Sequence, residues 1–364
     1  MTILSITQDV RGGGGNATVV AWYRRWAALH EPDAVNCTLD EGTNGWPLRA
    51  RREWGSGDVR IPRAMPALHV PPYLVGRRYL RKLWGGIDEV HVIGAVGLHG
   101  WIADRRTPMT VWFATTIDDE RRSFMKFIDL RRRLLYVSTL PALRRIETGV
   151  LGHARRVLVM SPHTGDILIR SGVDPSRIEV LPVPIDTRRF SPSPNSQRQG
   201  LLFLGRARDP RKGLDRAVAL VCGSRSAREV GLDVVSRQEP PKRFFQQLEG
   251  CLRWRGDVAD TPSAYRRAQV FLLPSRQEGF GIAAFEALAC GTPVVAYRCG
   301  GADALLADSG GALLVDNPED FVASTERLLA DELTREQMGA QGRAWVEQHL
   351  SPGPFLADPT RFRP

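Results

Sequence analysis

The chain has 364 residues, 43% of them hydrophobic and 25% charged, and a formal net charge of +10. That composition is ordinary for a globular protein and excludes wholesale disorder, collagen and coiled coil; the length suggests about two domains. The charge is lopsided: residues 1–190 hold 28 basic and 19 acidic side chains, net +9, against 22 and 21, net +1, in residues 191–364. Four of the 50 basic residues are lysine and 46 are arginine, a bias that a GC-rich genome would produce as readily as binding.

No run of about 18 apolar residues is present, so no membrane-spanning helix is expected. The opening MTILSITQDVRGGGG lacks the basic and long apolar regions of a signal peptide. Five scattered cysteines (Cys37, Cys222, Cys251, Cys290 and Cys299) form no CxxC pair and no metal-ligand spacing. Thiols in a reducing cytoplasm are the expectation, with attachment to a membrane face left open.

In chain order, Thr2–Thr7 predicts a strand. Gly12–Gly15 follow as a loop, and a helical pattern begins near Ala17 and carries Trp22, Trp26 and Leu29. Further strands are predicted at Val90–Ile93, Thr110–Phe113, Arg156–Met160 and Ile178–Leu181, with helices at Leu130–Glu147 and Pro162–Gly172. The segment PVPIDTRRFSPSPNSQRQG, residues 182–200, has linker composition. A second series then starts: strand Leu201–Leu204, loop GRARDPRKG, helix Leu214–Cys222 and strand Leu232–Val235. It continues with strands Gln269–Leu273 and Pro293–Tyr297, a helix at Ile282–Ala289 between them, and helices Pro318–Ala330 and Thr334–Gln348. The tail SPGPFLADPTRFRP reads as extended. Strands alternating with helices on both sides of a linker predict two doubly wound α/β domains facing a central cleft.

Two loops carry the chemistry. In LPSRQEGFGIAAFEALACGTPVVAYRCGG, residues 273–301, a strand ends and Glu278-Gly279-Phe280-Gly281 opens a helix. Glycines let backbone N–H groups approach a ligand, and a helix N-terminus favours negative charge. Glu286 follows eight residues after Glu278. One carboxylate can accept hydroxyl hydrogen bonds from a ribose and the other from a sugar. A lone glutamate is ordinarily a solvated surface charge; a pair framing Gly-Phe-Gly at a strand-to-helix turn is a stronger signal. In Gly205–Gly213, Arg206 can grip diphosphate oxygens bidentately and Lys212 adds a point charge. Two cations there would stabilise a leaving diphosphate. A basic surface turn is the plainer alternative.

EGFGIAAFE resembles the E-x7-E element of the retaining GT-B glycosyltransferases of family 4, and GRARDPRKG resembles that family's diphosphate loop. The PRKG ending is similar to that of the phosphatidylinositol mannosyltransferases, which points to GDP-mannose ahead of a UDP-sugar. Residues 156–192 and the WRGDVAD stretch, 254–260, also resemble family segments. The likeness is strong over residues 150–330 and weak over 20–150. It implies a GT-B fold with an acceptor-binding domain (1–187), a linker (188–199) and a nucleotide-sugar domain (200–348). A tail (349–364) would pack back towards the first domain. It implies a retaining, metal-independent hexosyl transfer from a nucleotide diphosphate sugar to a hydroxyl acceptor, with no cofactor. Arg206, Lys212 and Glu278 would be catalytic. Gly279, Phe280 and Gly281 would hold the sugar through their amides, Glu286 the ribose, with Val258 near the base. Gly14 and Gly15 match the family's Gly-Gly loop.

The first half departs from the pattern. The family often has a histidine at the end of a middle strand; here the run Thr110–Glu120 has none. Thr115 or Thr116 can stand in as hydrogen-bonding groups, and Asp118 could act as a base or orient an acceptor hydroxyl. The acids of this run would equally cap the next helix. His99 could line an acceptor pocket, and His91 flanks another strand end, though a structural role is the plainer reading of both. Basic clusters at Arg77-Arg78, Arg81-Lys82, Arg121-Arg122, Lys126, Arg131–Arg133 and Arg144-Arg145 lie near aromatics. They fit an anionic acceptor or an anionic membrane surface, or simply solvated faces. No motif supports nucleic acid as a partner. Three rival readings stand beside transfer. One is a dinucleotide fingerprint at Gly12-x-Gly14-x-x-Ala17, with Asp40 or Glu41 beyond it. The others are an epimerase-like enzyme on the same fold and a nucleotide-sugar binding protein without turnover.

Overall fold

The computed structural model describes residues 2–8, 14–40, 51–52, 58–62, 86–103, 106–193 and 197–363. Gly12, Gly13, Glu41, Arg77, Arg78, Arg81, Lys82 and Trp84 lie outside these residues. The chain divides into two compact units, Met1–Val183 with Gly353–Pro364, and Pro184–Pro352.

Unit 1 is an eight-stranded sheet with helices. Its elements are β1 (Ile3–Gln8), α1 (Gly15–His30), β2 (Val35–Asp40), β3 (Arg51–Arg52), β4 (Asp58–Pro62), β5 (Glu89–Gly94), β6 (Met109–Phe113), α2 (Ile117–Phe124), α3 (Leu130–His153), β7 (Arg156–Val159), α4 (Pro162–Arg170) and β8 (Ile178–Val180). The strand order is β3-β4-β2-β1-β5-β6-β7-β8, parallel except for the β3–β4 pair. β5 and β6 are buried along their whole length, and side chains such as Val92, Val111 and Val157 form one core with Leu143 and Val150 of α3. Continuous apolar strands are what a sheet covered on both faces requires.

The C-terminal segment belongs to this unit. Phe362 is fully buried against the rings of Tyr23, Trp26 and Trp112. The Trp26 indole N–H donates to the Asp358 carbonyl at 2.8 Å. Beneath Phe362, His91 is buried between the Tyr23 hydroxyl and Glu89, each at 2.8 Å.

Unit 2 continues with β9 (Leu201–Leu204), α5 (Leu214–Gly223), α6 (Arg225–Val230), β10 (Leu232–Val235), α7 (Lys242–Gln247), β11 (Leu252–Gly256), α8 (Thr261–Arg267), β12 (Val270–Leu273), α9 (Ile282–Ala289), β13 (Val294–Tyr297), α10 (Asp303–Asp308), β14 (Ala312–Val315), α11 (Pro318–Ala330) and α12 (Glu332–His349). Its six strands run parallel in the order β11-β10-β9-β12-β13-β14. The order reverses between β9 and β12, so the loops after those two strands emerge side by side at the carboxyl edge, where doubly wound sheets bind ligands. The tail corrects one expectation. It is not wholly extended: Pro352–Ala357 form a last helix, α13, with Phe355 buried. Among the described residues no helix is long and apolar enough to cross a membrane.

Candidate active site

In unit 2 the loop after β9 gathers the cations Arg206, Arg211 and Lys212 on a backbone fixed by its own contacts. Gly205 N–H donates to Val235 at 3.1 Å, fixing the start of the loop. Arg206 is largely exposed and pairs with Asp209 at 2.7 Å. Asp209 also holds Arg211 through Nε and Nη2, at 3.2 and 3.0 Å. Burial opposes charge on Asp209, but the hydrogen bonds and charges of Arg211 and Arg206 outweigh it and hold the carboxyl below its usual range. A short turn, Pro210–Lys212, ends at Gly213, whose φ of 68° lies in the left-handed region. A Cβ there would also stand 2.0 Å from the Pro274 carbonyl oxygen. Only glycine lets this loop lie so close to the end of β12.

The loop after β12 meets it. Lys212 Nζ donates to both Glu278 oxygens, at 2.8 and 3.0 Å. Ser275 Oγ donates to Glu278 Oε1 at 2.7 Å. Arg276 ties the two loops with its N–H on the Arg211 carbonyl and its guanidinium on Asp215. Glu278 is also fixed through its backbone: its N–H donates to Cys299, and Gly301 N–H donates back to its carbonyl. A Cβ on Gly301 would sit 2.0 Å from the Gly279 oxygen, so a bare backbone is required there. Gly281 caps α9 at φ 83°. The Phe280 ring is buried against Phe285, which leaves its backbone amide as the polar group it can offer.

Glu286 lies in the second turn of α9 and is half-buried. The Tyr265 hydroxyl, from α8, donates to its Oε2 at 2.9 Å. Desolvation pushes the Glu286 carboxyl up to about 7, opposed by the Tyr265 hydrogen bond and the charge of Arg189. Val258 lines a cavity of about 220 Å³ with Leu202, Asp233, Val235, Arg255 and Arg267.

In unit 1, Gly14 (φ 80°) and Gly15 are exposed at the start of α1. Thr116 caps α2, its hydroxyl accepting from Asp119 N–H at 3.3 Å, and Asp118, Asp119 and Glu120 fill the first turn. Thr115 is buried, with Oγ1 on Asp119 Oδ2 at 3.1 Å. Asp118 is held by Arg144 Nε at 2.7 and 2.9 Å, so it is engaged in an ion pair. His99 is buried, Nδ1 3.2 Å from the Val96 carbonyl, and faces the interior.

Several polar groups here went unread in the sequence. Glu147 of α3 is buried under α2 and accepts the Ile117 N–H at 3.1 Å on both oxygens. Burial pushes its carboxyl up to about 8, opposed by that hydrogen bond and reinforced by Asp118 and Glu120. His163, at the start of α4, has Nε2 3.9 Å from Asp119 Oδ2. It follows β7, the strand that pairs with β6, and so stands near the acidic first turn of α2. Ser275 and Tyr265 had no local signal. Among the described residues no three His, Cys, Asp or Glu side chains gather to hold a metal.

Comparison with known proteins accounts for both halves. Residues 12–189 match the model described as Glycosyltransferase Family 4, and residues 198–331 match Glycosyl transferases group 1. The D-inositol 3-phosphate glycosyltransferase of Paenarthrobacter aurescens is 30% identical over 314 residues, 76% of this chain and 74% of that one. The chain belongs to glycosyltransferase family 4. The fold of this glycosyltransferase agrees. WaaG, a glycosyltransferase involved in lipopolysaccharide biosynthesis, matches it over 100% of both chains with a TM-score of 0.74 at 16% identity. Anabaena HepE, solved with UDP and glucose, matches over 98% of this chain and 97% of that one, with a TM-score of 0.71 at 15% identity. The two units are those of a GT-B glycosyltransferase.

Proposed function

We propose that this glycosyltransferase moves a hexose from a nucleotide diphosphate sugar to a hydroxyl acceptor with retention of configuration. The observation that carries the proposal is the Lys212–Glu278 pair, held at 2.8 Å where the loops of β9 and β12 meet. An ammonium has three donors, so Lys212 can keep Glu278 and still bond diphosphate oxygens. Arg206, six residues earlier in the same loop and largely exposed, adds a guanidinium. As the glycosyl–oxygen bond breaks, both cations stabilise the charge that collects on the leaving diphosphate. Glu278 and the amides of Gly279, Phe280 and Gly281 hold the sugar. Glu286 accepts the ribose hydroxyls, and the Val258 cavity takes the base.

On the acceptor side, same-face attack lets the leaving phosphate take the acceptor proton, so no separate base is needed. Asp118, paired with Arg144, orients rather than accepts; Thr115 and Thr116 shape the strand end around it. Gly14 and Gly15 leave the start of α1 open to phosphate or sugar. The excess of positive charge in residues 1–190 suits an anionic acceptor, as does the phosphate in the name of the Paenarthrobacter relative. The loop ending in Arg211-Lys212-Gly213 favours GDP-mannose, with a UDP-sugar the alternative.

A thermal-shift comparison of UDP, GDP and ADP tests the donor site. The correct nucleotide stabilises by mass action, about 2.7 kcal/mol at a hundred times its Kd. Glu286→Ala should weaken that nucleotide by tenfold or more, about 1.4 kcal/mol. Because Glu286 ionises near pH 7, the wild type should bind more tightly as pH rises through that value, while Glu286→Gln should not. An unchanged Kd in Glu286→Ala would remove the ribose assignment.

A further inference from the structure

The first turns of α3 carry a feature that the transfer reaction does not use. Leu130, Leu134 and Val137 are 72%, 62% and 51% exposed. Spacings of four and three residues place them on one stripe of the helix. The buried side of the helix lies elsewhere: Leu143, Ile146, Val150 and Leu151 enter the unit 1 core. Pro141 stands between the two stretches. Phe127, just before the first turn, is 42% exposed.

Charge frames the stripe. Arg131, Arg133 and Arg145 are exposed. At 3.6 residues per turn Arg133 falls on one flank of the stripe, and Arg131 and Arg145 on the other. From Leu130 through Ile146 the sequence contains no acidic residue. Asp118 reaches across to neutralise Arg144, leaving these three arginines to the surface around the stripe. Exposed apolar side chains ordinarily occur singly; three in line, flanked by guanidinium groups, are the pattern of a helix that lies in a lipid interface.

We propose that the Leu130–Val137 stripe, with Arg131, Arg133 and Arg145, docks this glycosyltransferase on an anionic lipid surface. Leucine and valine enter the boundary of the acyl region, and the guanidinium groups meet headgroup phosphates, which they bind bidentately. Charge complementarity selects this occupant. A second copy of the same face would set arginine rows against each other, whereas anionic lipid neutralises them. The stripe covers about two turns, so the attachment is reversible and depends on both apolar and charged contacts. It stands apart from the donor assignment, whose loops belong to unit 2.

The test is co-sedimentation of the full chain with phosphatidylcholine vesicles, with and without phosphatidylglycerol. Binding should require phosphatidylglycerol and fall steeply with salt, because charges in water are screened within about 10 Å at 0.1 M. Leu134→Gln/Val137→Gln should reduce it at least tenfold at low salt. Arg131→Gln/Arg133→Gln should reduce it roughly 25-fold, since each arginine near such a surface is worth roughly fivefold. Donor-nucleotide Kd and the melting curve should be unchanged in both variants, as the side chains are exposed. Equal binding to neutral vesicles, or variants that bind as the wild type does, would overturn the proposal. So would a dimer in sedimentation velocity that Leu134→Gln/Val137→Gln dissolves, since that would make the stripe a subunit interface. Loss of nucleotide binding in Glu286→Ala with vesicle binding intact separates this surface from the donor site.

Discussion

Lys212→Ala should lower kcat by about 10²–10³-fold, the scale of one preorganised donor lost from a developing charge, about 2.7–4 kcal/mol. The structure adds a second cost. Glu278 is 8% exposed, and Lys212 is the cation on both its oxygens. With Lys212 gone, the Ser275 hydroxyl remains on one of those oxygens, and the stranded carboxylate should destabilise unit 2 by about 1–3 kcal/mol. The two costs separate in the double variant Lys212→Ala/Glu278→Gln. Neutralising the carboxylate should recover stability without recovering turnover. Initial rates and urea unfolding on the same preparations check this. A single variant with near-normal kcat would remove Lys212 from the leaving-group site.

The second large effect is one of stability against pH. The Glu147 carboxyl is pushed from an ordinary 4.5 up to about 8, chiefly by burial. Between those values the folded chain holds a proton that the unfolded chain releases, so stability falls as pH rises through the window and levels off above about 8. The upper limit is about 4–5 kcal/mol, at about 1.4 kcal/mol per unit of pKa difference. Glu147→Gln keeps an oxygen for the Ile117 N–H and cannot ionise. It should match the wild type near pH 5 and exceed it by several kcal/mol near pH 8. Glu286 contributes in the same direction up to about 7, but it is common to both proteins and cancels in the difference. Chemical denaturation across that pH range, with identical slopes for both proteins, would contradict the account.

The two loops of the candidate donor site were legible in the sequence because their parts are local. Gly205–Gly213 and Glu278–Gly281 each sit between a strand and a helix, and the glycines advertise close backbone approach. What makes them one site is the neighbour relation of β9 and β12, which the doubly wound order supplies. The pairs that were missed are all tertiary. Tyr265 meets Glu286 across 21 residues, and Arg144 meets Asp118 across 26. Edge strands were also missed. Leu252–Gly256 is not among the predicted strands: Arg253, Trp254 and Arg255 break the apolar pattern and keep some exposure on an edge strand paired on one side. The tail, expected to be extended, forms a helix instead, because proline is well placed in the first turn of a helix and Pro352 opens α13.

Unit 1 was harder to read because its polar side chains are mostly spent on structure. Thr116 caps α2, Asp118 binds Arg144 and His99 faces the interior. The end of β6 carries no histidine; His163, after the adjacent strand β7, reaches only Asp119, at 3.9 Å.

The central claim is hexosyl transfer, and the most direct measurement is nucleotide release from GDP-mannose or a UDP-sugar, followed with and without hydroxyl acceptors bearing phosphate. The account predicts that release requires the acceptor, matches glycoside formed one for one, and collapses in Lys212→Ala. Tight nucleotide-sugar binding with no turnover on any acceptor would contradict it.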